Sequence, residues 1–356
     1  MVNCEIIHAV FGDSLLRGLV RRLLYGIVAL IVILVVIGLL LPSTSRVQVS
    51  SKIDAPAATV YAQLNDFRRF ALWAPLLDID PNVRVLYSGN RRGPGSTMTW
   101  NGAIAGSGTQ TIVNSVPFEQ VDIVLNRGEP GEAFSRFSLA EEGGATTITW
   151  SFETDYGLNI VGRYFAPLFG RVVARDCQTG LDRLRQLAES LPGTDFSDLQ
   201  IEQIVVAAVE IAYQQTTSAA DAGSMADAMG KAYFDIVTFI DKHGLQDAGA
   251  PISILRTFSG SELVFDAAIP VRGTSEATPR DTPKVKLGRT YEGPVIRVKH
   301  TGSYRALAET HRKIAAYIAA HGLQRNGPAW ESYVSDPRSV AEDELITLIY
   351  YPISPD

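Results

Sequence analysis

Phe234-Asp-Ile-Val-Thr-Phe-Ile-Asp-Lys-His-Gly-Leu-Gln246 recurs 78 residues later as Arg312-Lys-Ile-Ala-Ala-Tyr-Ile-Ala-Ala-His-Gly-Leu-Gln324, placing His243 over His321 and Gly249 over Gly327. In each copy the apolar residues fall three and four apart and so share one face of a helix, which stops where Gly follows the His. A Pro-bearing turn and a strand follow, then a second strand ending in Pro, Leu263 to Pro270 in the first copy and Leu345 to Pro352 in the second. A strand also precedes each helix, Ile204 to Ala212 and Val295 to His300. The pattern is a strand-helix-strand-strand unit used twice. It predicts an α+β domain whose two sheets pair about a pseudo-two-fold axis and leave a concave groove at their junction. Pro270 to Pro283, with its Pro, Gly, Thr, Ser and charge, reads as a surface loop between the copies.

This duplicated domain occupies residues 200–356, and the Pro, Gly and polar residues of 192–199 mark a short linker before it. Upstream, residues 46–191 form another block. Arg46-Val-Gln-Val-Ser-Ser-Lys-Ile53 alternates with the period of a strand, and Asp54-Ala-Pro56 opens a short helix carrying Val60, Tyr61, Leu64 and Phe67. Strands are expected at 83–87, 96–103, 108–116, 120–125, 133–140 and 146–154, with Gly- and Pro-bearing turns between them. A long helix then aligns Val172, Val173, Cys177, Leu181, Leu184 and Leu187, a stripe that must bury itself against the concave face of the sheet.

Before both blocks, Leu23 to Leu41 runs LLYGIVALIVILVVIGLLL without a charged residue. As a helix it matches the ~30 Å hydrocarbon core of a bilayer. We read residues 23–41 as a transmembrane helix in contact with the lipid bilayer and 1–22 as a short tail. A cleaved signal peptide is the competing reading, but the run exceeds the usual ~7–15 residues and no small-x-small cleavage pattern follows. Arg17, Arg21 and Arg22 precede the run, whereas Arg46 and Lys52 follow it. The bias favours a single-pass protein of the cytoplasmic membrane with its C-terminal domains extracytoplasmic.

Composition narrows the functions. A chain that is 46% apolar and 20% charged is globular rather than disordered. Its net charge of −6, carried mostly by the duplicated domain, argues against a nucleic-acid partner. Two cysteines, Cys4 and Cys177, cannot build a metal cluster or a disulfide framework. All five histidines lie outside residues 46–191, so that block has no His-based acid, base or zinc site.

Ile53-Asp54-Ala55-Pro56, Val60-Tyr61, Asp66-Phe67, Trp73-Ala74-Pro75, the Gly93-Pro94-Gly95 turn before Trp100, and Thr146 to Trp150 make this block resemble the START-like superfamily, in particular its SRPBCC group of polyketide cyclase/dehydrase and lipid-transport domains. The resemblance implies a helix-grip fold with an apolar cavity between sheet and long helix. Trp73 and Trp100 are its candidate ligand-lining residues, against the alternative that they are core aromatics.

Gly327-Pro-Ala-Trp-Glu-Ser-Tyr-Val-Ser-Asp-Pro337 and the terminal Tyr350-Tyr351-Pro352-Ile353 make residues 200–354 resemble the GyrI-like family, the effector-binding domain also attached to AraC-type and MerR-type regulators. No helix-turn-helix segment accompanies it here. The resemblance implies that Glu331 sits in a ligand groove among aromatics. On a strand Glu331 and Tyr333 share one face, with Trp330, Ser332 and Val334 on the other. A carboxylate beside aromatic faces suits an organic cation. The repeat places Ser253 at the position equivalent to Glu331, which makes the groove asymmetric, with a single acid. Of the adjacent Tyr350 and Tyr351, which must face opposite ways, Tyr351 is the ligand-side candidate. His243 and His321 read as helix C-caps, and His300 and His311 have no partner at metal-ligand spacing.

The resulting expectation is a membrane-anchored protein whose two pocket-forming domains bind small apolar or cationic molecules, with no cofactor or metal and with protein partners unspecified. The alternative is a hydrolase or cyclase acting on a reactive organic substrate, with Glu331 as general base and Tyr333 as helper.

Overall fold

The computed structural model describes residues 5–75, 80–126, 133–219, 221–275 and 278–355. Cys4 and the turn expected near 127–131 lie outside them. Contacts divide the chain into two units, Met1–Ser190 and Leu191–Asp356.

The first unit begins with α1 (Glu5–Leu40), one continuous helix rather than a separate tail and span. Its segment Val20–Leu40, 21 residues, is long and apolar enough to cross a membrane. The chain continues through β1 (Thr44–Ile53), α2 (Ala57–Leu64), α3 (Phe67–Phe70), β2 (Arg84–Gly89), β3 (Ser96–Gly102), β4 (Gly106–Val116), β5 (Gln120–Asn126), β6 (Ala133–Glu142), β7 (Ala145–Asp155) and α4 (Ile160–Glu189). The strands make one antiparallel sheet in the order β1-β7-β6-β5-β4-β3-β2, a meander closed by the first strand pairing with the last. Alternation sets the core face: along β6, Ala133, Ser135, Phe137 and Leu139 are buried while residues between them are more open. Against this face α4 buries Cys177, Leu181, Leu184 and Ala188. Val172, assigned to the same stripe from sequence, is exposed instead.

The second unit runs β8 (Ile201–Val206), β9 (Glu210–Ala219), α5 (Ala222–Lys242), β10 (Gln246–Asp247), β11 (Ile252–Ser259), β12 (Glu262–Arg272), β13 (Lys286–Arg289), β14 (Gly293–Thr301), α6 (Leu307–Ala320), β15 (Trp330–Tyr333) and β16 (Ile346–Pro352). Both helices end where the repeat predicts, with Gly244 and Gly322 in the left-handed region at φ 63° and 61°. The main sheet has the order β13-β9-β12-β11-β15-β16-β14-β8. Read from either end this is the same series, an outer strand, then the first, third and second strands of one copy, so the pseudo-two-fold axis passes between β11 and β15.

The outer strands are absent from the sequence pattern. The stretch Ile204 to Ala212, read as one strand, is two: β8 pairs with β14 of the other copy, whereas β9 pairs with β12 and β13. Ala207-Ala208-Val209 contains no turn residue, so the alternation gave no sign of the break. Each copy thus lends an edge strand to the other. Their connectors meet where Thr290 N–H donates to the Val209 carbonyl at 2.9 Å and Val209 N–H to the Thr290 hydroxyl at 3.0 Å.

Helices α5 and α6 cover one face of this sheet. Ala232, Ile236, Phe239 and Ile240 of α5 pack on Ala212, Phe265, Ala267 and Ile269, and Leu307, Ile314 and Ile318 of α6 pack on Ile296, Val298, Ile349 and Tyr351. The opposite face carries Ile211, Ile252, Ile254, Ala268, Val295 and Trp330.

Candidate functional site

The ladder brings Ser253 directly opposite Glu331 at the pseudo-two-fold axis. Both are buried on the helix-covered face, with Glu331 only 4% exposed. A carboxyl group in such a place requires hydrogen-bond partners, because burial without them costs several kcal/mol by order of magnitude, about 2–7 even for a neutral polar group. Two are present. The His311 Nε2 lies 2.7 Å from Glu331 Oε1, and the Tyr333 hydroxyl donates to Oε2 at 2.5 Å. His311 in turn meets the Tyr351 hydroxyl through Nδ1 at 2.7 Å. A neutral imidazole satisfies both contacts as one tautomer, with Nε2–H donating to Glu331 and Nδ1 accepting from Tyr351.

Four tyrosines surround this carboxyl. Burial and then the Glu331 charge push the Tyr333 hydroxyl well above the ordinary tyrosine range, and the same two causes raise Tyr233 of α5. Tyr351 is pushed up to about 12 by burial, with Arg325 opposing and Glu331 adding to the rise. Tyr304 is raised by burial, Asp336 and Glu331. The rings are ordered as well as the hydroxyls: Tyr304 and Tyr333 stand edge to face at 5.4 Å, and the Arg325 guanidinium lies over the Tyr351 ring at 5.1 Å. That last contact shows that an aromatic face here accepts a cation. Tyr233 is fixed by donating to the Ile252 carbonyl at 3.0 Å.

Glu331, Tyr333 and Tyr351, named from sequence, therefore come together, and Tyr350 turns to the other face as the strand period requires, stacking on Trp330 at 4.8 Å. A shallow cavity of about 260 Å³ opens on that other face, lined by Val206, Ile252, Tyr291, Trp330, Ser332 and Tyr350. It does not reach Glu331, which lies across the sheet. Trp73 and Trp100 belong to the first unit. Trp73 packs edge to face against Phe137 and Trp150 at 6.0 and 5.9 Å and donates to the Gln63 carbonyl, while Trp100 donates to the Ala105 carbonyl.

Sequence reasoning missed His311, Tyr233 and Tyr304. A signal for His311 existed: it falls between Leu307 and Ile314 on the buried stripe of α6, and the repeat sets it over Tyr233. His243, His300 and His321 are accounted for locally. His321 Nδ1 meets the Tyr317 carbonyl at 2.9 Å at the end of α6, and His243 packs on Phe239 at the end of α5. His300 is held by Thr310 and the Ser303 carbonyl. Among the described residues no group of three His, Cys, Asp or Glu side chains is placed to hold a metal ion.

No curated protein matches the chain. Solved structures similar to parts of it include the C-terminal domain of EcmrR (12% identity, covering 45% of this chain and 99% of that one, TM-score 0.37) and protein CV1439 from Chromobacterium violaceum (15%, 41% and 98%, TM-score 0.33). A hydrolase encoded by lin2189 from Listeria innocua is also similar (17%, 43% and 91%, TM-score 0.33). Residues 44–189 match the polyketide cyclase / dehydrase and lipid transport family, and residues 259–354 match the GyrI-like small molecule binding domain, so the chain joins a START-like domain to a GyrI-like one.

Proposed function

We propose that this protein is a membrane-anchored small-molecule binder, with Val20–Leu40 as its span and both domains on the extracytoplasmic side, serving in sensing, sequestration or transfer. The observation that carries the reading is the buried Glu331 carboxyl, held by His311 and Tyr333 and ringed by Tyr233, Tyr304, Tyr333 and Tyr351. An organic cation entering from the Tyr304–Tyr333 side meets a negative charge and aromatic faces together, an arrangement worth about 2 kcal/mol or more per desolvated cation–π contact. Neutral ligands gain only the aromatic surface. The apolar ligand class is assigned to the START-like domain, with Trp73 and Trp100, both buried in its core cluster, as the candidate contacts. The test is a thermal-shift screen of the detergent-solubilised full chain against lipids, neutral aromatics and aromatic quaternary ammonium ions. Stabilisation by the last class is the expected result, and silence across all three contradicts the reading.

One observation favours a second reading, hydrolysis of a reactive organic substrate. His311 supplies the base-side partner that Glu331 lacks in the sequence motif, and the Tyr351–His311–Glu331–Tyr333 chain is a continuous acid-base set. Turnover of activated esters or epoxides that vanishes in Glu331→Gln would support it. Saturable binding without turnover in the unaltered chain would refute it.

A further inference from the structure

Helix α4 has two unlike halves. From Cys177 onward it buries a stripe in the core, but in its first half Val161, Phe165, Leu168, Phe169 and Val172 face solvent, with Leu168 58% and Phe169 52% exposed. The spacing of Val161, Phe165, Leu168 and Val172 is that of one helical stripe. Leu158, in the turn before the helix, is 83% exposed, and Ile104, at the tip of the β3–β4 turn, is 72% exposed. These residues share one end of the sheet. The ladder sets Thr44 beside Asp155, Ala133 beside Thr154, Leu125 beside Ala133, Gln110 beside Leu125 and Gly102 beside Gly106, so the β3–β4 tip, the β7–α4 turn and the start of β1 lie at the same end.

That end is also where α1 leaves off, and the junction is built. Arg163 of α4 donates to the Leu39 and Leu41 carbonyls at 3.0 and 3.1 Å, which places a cation on the last turn of α1, a helix that carries no basic residue there itself. The Tyr164 hydroxyl donates to the Leu34 carbonyl at 2.6 Å. Gly38 admits the approach, since a Cβ there would fall 2.2 Å from Ile160 Cγ2. From Gly157 to Arg175 the chain carries Arg163, Arg171 and Arg175 and no acid, and Arg171 and Arg175 are exposed. An apolar stripe flanked by arginines is the composition of a helix that lies in a membrane interface.

We propose that this end of the START-like domain rests in the bilayer, the α4 stripe with Leu158 and Ile104 seated at the acyl-chain boundary and Arg171 and Arg175 against anionic lipid headgroups. The proposal depends on the reading of α1 as a span. Its consequence is that the START-like domain does not swing freely on its anchor: its sheet end and the first half of α4 are held at the lipid surface, where an apolar ligand would leave or enter the membrane.

The experiment uses the full chain with Cys4→Ser, reconstituted into vesicles of phosphatidylcholine with phosphatidylglycerol. An environment-sensitive fluorophore is attached at Leu168→Cys, at Phe169→Cys, or at Val116→Cys, whose position is at the opposite end of the sheet. Cys177 is buried and its thiol is pushed up to about 12, so it stays unlabelled. Quenching by shallow spin-labelled lipids is expected to be about two-fold or more stronger at 168 and 169 than at 116, and weaker when phosphatidylglycerol is omitted. If Leu168→Cys does not fold, Phe165→Cys reads the same face. Equal quenching at both ends, or none at 168 and 169, in a chain that survives an alkaline wash overturns the docking while leaving the span intact. A chain removed from the vesicles by that wash overturns the span and the docking with it.

Discussion

The two halves of the GyrI-like domain are built on one plan and equipped differently. Ladder register makes the equivalence explicit: Ser253 pairs with Ala267 as Glu331 pairs with Ile349, which sets Ile269 over Tyr351 two residues along. The helix repeat sets Tyr233 over His311. One half therefore presents Tyr233, Ser253 and Ile269 at the axis, and the other presents His311, Glu331 and Tyr351. The scaffold needs only that these positions be filled. Tyr233 meets a carbonyl, and Ile269 joins the core of its half. The second half instead assembles a carboxyl, an imidazole and a phenol within hydrogen-bond reach of one another. Duplication thus separates what folding requires from what the site adds.

The largest stability effect expected from this asymmetry is at high pH. Tyr351 is raised from its ordinary value of 10.0 to about 12, so its contribution is complete below pH 10 and is lost as pH rises through about 12. The unfolded chain releases the proton first, which lowers unfolding free energy across that window by an amount on the order of 2–3 kcal/mol. Denaturant melts on either side of the window should show a smaller loss in Tyr351→Phe. An unchanged loss would mean that this hydroxyl does not distinguish the halves.

Next in size is His311→Leu. It takes the imidazole partner from a buried carboxyl, at a cost of about 1–3 kcal/mol. Tyr233→Phe, the matching change in the other half, removes one neutral hydrogen bond and should cost about 1 kcal/mol. Chemical denaturation of the two variants sharpens the comparison, and it breaks if His311→Leu proves no more costly. A third probe reads charge rather than stability. Glu331→Gln removes one of the causes that raise Tyr233, Tyr304, Tyr333 and Tyr351, so a phenolate absorbance titration should show their ionisation moving down toward ordinary tyrosine. Smallest is Ser253→Ala, expected within about 1 kcal/mol of the unaltered chain in the same melts.

Much of the architecture was legible because it is written in periods. Strand patterning with Gly- and Pro-bearing turns between the segments locates seven strands of the START-like sheet to within a few residues, and the offset repeat carries the two-fold axis. What escaped was non-local. β8 and β13 are edge strands borrowed from the opposite copy, and no local pattern distinguishes a strand that pairs with its neighbour from one that crosses to the other half. The continuation of α1 back to Glu5 likewise lies beyond the apolar run that marked the span. At the site, Glu331, Tyr333 and Tyr351 were found through a motif and the strand period. Spacing along the chain leaves His311 without a partner, because Glu331 and Tyr351 are 20 and 40 residues away and reach it only when α6 packs across β15 and β16. Its place on a buried helical stripe, where an unpaired imidazole would be costly, was the usable clue.

The most direct test of the central claim is calorimetric titration of the full chain, Glu331→Gln and Ser253→Ala with an aromatic quaternary ammonium ion and with its uncharged carbon isostere. Loss of a desolvated charge contact of about 1.5–3 kcal/mol predicts that Glu331→Gln weakens the cation by roughly ten- to a hundred-fold. The isostere should bind all three chains alike, and Ser253→Ala should match the unaltered chain for both ligands. Equal weakening of cation and isostere by Glu331→Gln, or weakening of neither, would contradict the assignment of Glu331 as the cation contact.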